Sequence, residues 1–186
     1  MPRSSHLLNQ RQSTPDLDTL IRLFYDDPTR LGLFREVAAE DTPQPFRKLL
    51  AHDQHMTVTV ESFHGCPVNV DVLKTDRDQD HYFRKILLRR SSDNGVVQFG
   101  IVRLDLSYLS DDVISEILSE KIPLGRVLIQ HDVMREVQRS ELWQCRCGPD
   151  LQDYLGGQWP TVYGRTALIY CNGEPVVELL EIVTPS

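Results

Sequence analysis

The sequence predicts an α+β domain, a mostly antiparallel six-stranded sheet with helices packed on it. Three observations lead there. Period-two hydrophobic alternation recurs in six segments, these fall into three pairs around turn signals, and helical periodicities sit in blocks instead of between every strand pair.

Residues 1–15 are polar, lack periodicity and end in Ser13-Thr14-Pro15, so a disordered tail is expected there and a single domain over 16–186. Leu17, Leu20, Ile21 and Phe24 then recur at helical spacing, with Asp16 and Asp18 near the positive end of the helix dipole. Residues 25–45 carry three prolines and acidic pairs and read as a connection with one helical turn, and Phe46–Leu50 form a further apolar turn. From Met56 the period changes to two. Val58 and Val60 alternate with Thr57, Thr59 and Glu61, His64-Gly65-Cys66-Pro67 turns, and Val68, Val70 and Val72 alternate again, which predicts a hairpin.

A second hairpin, Tyr82–Arg90 with Val96–Leu106, flanks Ser-Ser-Asp-Asn-Gly. Ser110 caps a helix with apolar Val113, Ile114, Ile117 and Leu118. After Pro123-Leu124-Gly125, helical spacing resumes over 126–137 through Val127, Leu128, Ile129, Val133, Met134 and Val137. Residues 144–161 read as a loop, and strands Tyr163–Cys171 and Pro175–Val183 close on Asn172-Gly173.

Composition narrows the function classes. The 186 residues include 20 Lys and Arg against 27 Asp and Glu, a formal charge of −7, which argues against a nucleic-acid partner because such affinity comes largely from clustered basic residues. Apolar runs such as Ile86-Leu87-Leu88 fall far short of the ~20 residues a membrane span requires. The N-terminus has no apolar segment of the secretory kind, so a cytoplasmic location is expected. The four cysteines have no framework spacing and are expected to be free thiols. Cys145-Arg146-Cys147 lacks a second pair, and His52 and His55 lack a third ligand at a recognisable spacing, so no metal is expected. No phosphate-binding glycine loop or nucleophile elbow occurs, which leaves cofactor-free action on a small anion.

Two strands carry anomalies. Alternation puts Arg84 on the face of Ile86 and Leu88, where a guanidinium requires a carboxylate or phosphate partner, from the protein or from a ligand. An internal Glu, or a strand end reaching water, satisfies it equally well. In the last strand, Val177, Leu179, Glu181 and Val183 share one face, and Val176, Glu178, Leu180 and Ile182 the other. Each apolar face therefore holds one carboxylate, and spacing does not choose between Glu178 and Glu181.

Leu50–Thr57 leading into a Val-rich segment, Tyr82–Leu88, and Ile122–Arg126 together are similar, in order and spacing, to the chorismate pyruvate-lyase family. Tyr163-Gly164-Arg165, Gly173-Glu174-Pro175 and Glu181 near Pro185 extend the resemblance over residues 46–185. It implies a closed internal ligand pocket and conversion of chorismate to 4-hydroxybenzoate and pyruvate without metal or cofactor. Residue by residue, it implies that Arg84 holds the ring carboxylate and Glu181 meets the 4-hydroxyl end. Met56, Leu124, Gly125 and Arg165 then complete the substrate-binding set. The spacing from Gly173 to Glu181 runs one residue longer than in the enterobacterial form, and the 148–161 loop is extra. Proteins of this kind also include non-catalytic ligand-binding domains of regulators and relatives that make another hydroxybenzoate. Such regulators carry a winged-helix module upstream, for which residues 1–45 are too few. The expected partners are chorismate and 4-hydroxybenzoate, with no nucleic acid or membrane, and the chain is expected to be a monomer or weak dimer.

Overall fold

A computed structural model describes residues 14–133 and 135–185 of the chain. Helix α1 (Leu17–Arg22) begins where the periodicity places it, with the Asp16 carboxylate accepting the Thr19 N–H at 2.7 Å as N-cap, and it buries Leu20 and Ile21. Strand β1 (Gly32–Val37), α2 (Phe46–Leu50), α3 (Met56–His64) and strands β2 (Val68–Arg77), β3 (His81–Arg90) and β4 (Val96–Asp105) follow. Then come α4 (Asp111–Leu118), α5 (Leu124–Gln130), β5 (Arg135–Cys147), α6 (Pro149–Tyr154), β6 (Thr161–Cys171) and β7 (Glu174–Val183). The strands form one antiparallel sheet in the order β1-β5-β6-β7-β4-β3-β2. The β6–β7 turn uses Asn172 and Gly173 at φ 54° and 84°, the pair of positive dihedrals that a two-residue hairpin demands. No helix among the described residues is long and apolar enough to cross a membrane.

Both faces of the sheet are covered, which is why its central strands read as nearly continuous apolar runs. Leu87, Phe99, Ile101, Leu180 and Ile182 pack under α1 and α6, against Leu20, Ile21, Leu151 and Leu155. On the other face, Leu104, Ala167, Ile169 and Val177 pack with α4 and α5 through Val113, Ile117, Val127 and Leu128. Ile86, Leu88, Val97 and Val183 pack there with α2 and α3 through Leu49, Leu50 and Val60. A fully buried side chain such as Ile117 contributes about 1.5–3 kcal/mol through its removal from water, so each of these short helices is held by its packing more than by its propensity.

The sheet has seven strands, not six: one expected strand is a helix and two unexpected strands appear. Residues 56–61 form part of α3, not a hairpin arm. The Val/Thr alternation there also fits a helical face, because Met56 and Val60 lie four apart and both are buried, while Val58, which a strand would place beside Val60, is 46% exposed. Gly65, at φ 67°, ends this helix in the left-handed C-cap conformation. Residues 126–137 do not form one helix. The chain leaves α5 through Asp132, at φ 50°, and enters β5; Met134, counted in that helical spacing, lies outside the described residues. The alternation of β5 is hidden by a register irregularity between Arg139 and Leu142. The same strand runs on through Cys145 and Cys147 and pairs with β1, so these thiols are buried in the sheet and not beside a loop, and residues 32–37 are not a connection. Within the expected 144–161 loop, α6 caps the sheet edge. The expected tail falls on residues 1–13, outside the described residues, while Thr14 and Pro15 have no regular structure.

Candidate functional site

The face of the sheet under α3 and α5 is not filled to the same density everywhere. Register places three rows of side chains side by side across β3, β4, β7 and β6: Arg84, Val102, Leu179 and Ala167; Ile86, Gly100, Glu181 and Arg165; Leu88, Gln98, Val183 and Tyr163. At Gly100 the middle row has no side chain, and a Cβ there would come within 3.3 Å of Ile86. A cavity opens above it, at the junction of the two apolar clusters, with about 40 Å³ of room for the centres of water-sized molecules. The first residues of α3 and α5, Met56 and Leu124, close it from above.

Arg84, Glu181, Met56, Leu124, Gly125 and Arg165, spread over 126 positions of sequence, all line this one cavity. They do so in different ways. Arg84 is 2% exposed, and its Nε and Nη1 have no hydrogen-bond partner. Burial pulls the guanidinium pKa below its ordinary value, while Tyr82 and Glu120 push it back up. An arginine does not shed its proton to escape such a site, so Nε and Nη1 remain buried donors on a fixed positive charge. The Tyr82 hydroxyl donates to Glu120 Oε1 at 3.0 Å, and its pKa rises to about 12 through burial and that carboxylate.

Glu181 lies two strands and one row away from Arg84. Strand spacings of ~4.8 Å and a two-residue step of ~6.7 Å put the two Cα atoms roughly 12 Å apart, so the two side chains approach one cavity from different sides. Arg165 is wholly buried and its donors are engaged within the protein. Nε donates to Glu181 Oε2 at 2.8 Å, Nη1 to the His52 carbonyl at 2.7 Å and Nη2 to the Gln54 carbonyl at 2.9 Å. It therefore fixes Glu181 and ties the segment before α3 to the sheet. Glu178, the alternative carboxylate, points to the opposite face and pairs with Arg103 at 3.3 Å, each about 30% exposed.

The helix starts bring backbone donors to the rim. First-turn N–H groups lack intrahelical acceptors, and neither α3 nor α5 has a side-chain cap to satisfy them. Gly125 lets the two starts approach each other: a Cβ on it would sit 3.0 Å from Thr57 Oγ1 and 3.5 Å from His55 Nδ1. His52 serves local structure, its Nε2 lying 2.7 Å from the Leu49 carbonyl and its Nδ1 accepting the Gln54 N–H at 3.1 Å. Burial first, and the Arg165 charge second, lower its pKa. His55 lines the cavity itself. Two polar lining residues escaped the sequence reading as site residues: Thr57, in the first turn of α3, and Gln98, buried inside the apolar run Val-Val-Gln-Phe-Gly-Ile-Val, where the break in hydrophobicity was the available signal.

Chemically, the cavity offers a buried guanidinium for an anion, apolar walls (Val70, Ile86, Leu88, Ile169, Leu179) for a ring, and a carboxylate acceptor on another side.

No family model and no curated protein matches the sequence. Solved structures do match the fold. PhnF from Mycobacterium smegmatis aligns with a TM-score of 0.55 at 8% identity over 70% of this chain, which spans only 63% of the PhnF chain. The ligand-binding domain of a putative GntR-family transcriptional regulator from Bordetella bronchiseptica aligns with a TM-score of 0.48 at 13% identity, covering 63% of this chain and 85% of that one. A likeness at such identity concerns the fold alone: one antiparallel α+β sheet with helices, the chorismate lyase-like fold.

Proposed function

We propose that the cavity binds a small ring carboxylate of the 4-hydroxybenzoate type, and that binding is the function of this domain. The observation that carries it is the buried guanidinium of Arg84, a residue lining the cavity, with Nε and Nη1 unpaired. Such a group costs folding free energy unless a ligand completes it, and a carboxylate is a strong acceptor for a charged guanidinium N–H. The ring lies over Gly100 between the aliphatic walls, and its hydroxyl donates to Glu181. Held on Arg165, the Glu181 carboxylate is oriented to accept a hydrogen bond from that hydroxyl.

Turnover of chorismate is the second reading. It is favoured by one observation, the convergence of Arg84, Glu181, Met56 and Leu124 on one cavity, which is the set that the resemblance implies for the lyase. Elimination of the enolpyruvyl group from chorismate yields the aromatic acid and pyruvate with no external reagent, so orientation at both ends supplies much of what that reaction needs. Relatives making another hydroxybenzoate differ only in the product. One experiment separates these readings: purified protein is melted with and without 4-hydroxybenzoate, and incubated with chorismate while acid products are resolved by chromatography. Stabilisation with chorismate left intact is the expected result. Release of pyruvate and 4-hydroxybenzoate moves the assignment to the lyase, and neither effect overturns both.

A further inference from the structure

We propose that Gln98 reads a second polar substituent on the ring, adjacent to the one at Glu181, so that the ligand class is a 3,4-disubstituted aromatic acid of the catechol type. The proposal rests on the carboxylate reading of Arg84 and deepens it.

Gln98 is 4% exposed and lines the cavity, and its Oε1 has no hydrogen-bond partner. It is flanked in register by Leu88 on β3 and Val183 on β7, which offer no polar side-chain atom. Its row lies immediately beyond that of Gly100 and Glu181, so Gln98 and Glu181 are diagonal neighbours on adjacent strands, with Cα atoms ~7–8 Å apart. Arg84 sits two rows away from Gln98, at the other end of the cavity. A ring whose carboxylate is on Arg84 and whose para position faces Glu181 therefore turns one meta position toward the Gln98 amide. A hydroxyl there satisfies either assignment of the amide, because it both donates and accepts. A leucine at this place would complete the apolar wall, and an orphaned buried amide oxygen is costly without a ligand group to meet it. Polar groups built to meet a ligand hydroxyl discriminate strongly against the analogue that lacks it.

The test is calorimetric titration of the full chain with 4-hydroxybenzoate and with 3,4-dihydroxybenzoate, for the native protein and for Gln98→Leu. The native protein should bind the dihydroxy acid about tenfold more tightly, and Gln98→Leu should bind the two acids equally or reverse the order. Gln98→Met, of similar length, serves if the leucine variant does not fold. Equal binding of both acids by the native protein overturns the role of Gln98 and leaves Arg84 as the receptor, as does a preference that survives in the variants, where an ordered water is then the partner of Gln98. Failure of both acids to bind the native protein removes the pocket reading itself, and this one with it.

Discussion

Replacing Arg84 with methionine should move stability and binding in opposite directions. In the free protein this side chain is a desolvated cation with two unpaired donors on an apolar face, among Ile86, Val102 and Leu179. Exchange for an apolar chain of similar length removes that penalty, and comparable replacements of buried ionic groups stabilise by about 1–3 kcal/mol. At roughly 2–4 °C per kcal/mol for a chain of this size, the melting temperature should rise by ~2–12 °C. The Tyr82–Glu120 hydrogen bond stays in place and holds the neighbouring end of the strand. Binding of 4-hydroxybenzoate should weaken by about 2–5 kcal/mol, the cost of deleting one partner of a buried charged pair, or roughly 30- to 4,000-fold. Thermal melts followed by circular dichroism, and titration calorimetry on the same samples, read both quantities. A variant that melts several degrees lower and still binds the acid refutes the reasoning, because Arg84 would then be a structural cation with a protein partner.

Glu181→Gln should cost about 3–5 kcal/mol and lower the melting temperature by ~6–20 °C, since it leaves the Arg165 cation without its counter-charge; the double variant Arg165→Met with Glu181→Leu should recover part of that loss in the same melts. Gly164→Ala should fail to fold or melt far lower, because its Cβ would lie 2.6 Å from the Glu181 carbonyl, whereas Gly100→Ala, whose new Cβ meets Ile86 at 3.3 Å, should stay folded and bind 4-hydroxybenzoate at least several-fold more weakly; similar melts for both would contradict this. His52 and His64 both have folded pKa values lowered from 6.5, mainly by burial. The unfolded chain therefore takes up protons first, so their contribution is complete above pH 6.5 and is lost as pH falls through the lowered values. The urea midpoint should be lower at about pH 5 than at about pH 7.5, with His52→Gln reducing the difference; a pH-independent midpoint for this range contradicts it.

What the sequence disclosed followed the strength of local signals. The β3–β4 and β6–β7 hairpins were legible because Asn-Gly turns fix the register of strongly alternating strands. That alternation also placed Arg84 among aliphatics. It left Glu178 and Glu181 undecided, because β7 is apolar on both faces, and only the pairing with Arg103 and Arg165 distinguishes them. The Val/Thr run at 57–60 carries β-branched side chains that favour a strand locally, yet its burial against the sheet is helical. β1 and β5 were hidden for the opposite reason: an irregular, polar strand pairs with an edge strand, so neither shows clean alternation. The cavity itself belongs to the tertiary level. It comes from the missing side chain at Gly100 and from two helix starts that approach through Gly125, and neither glycine advertises this in the chain.

The central claim is that the buried Arg84, with Nε and Nη1 unpaired, makes this cavity a receptor for a carboxylate. Its most direct test is a matched pair of calorimetric titrations, 4-hydroxybenzoate against 4-hydroxybenzamide, which share ring and hydroxyl and differ in the charge of the group facing the guanidinium. The acid should bind, and the amide should bind about 30-fold or more weakly. Equal affinities, or an acid that does not bind at all, would contradict the claim.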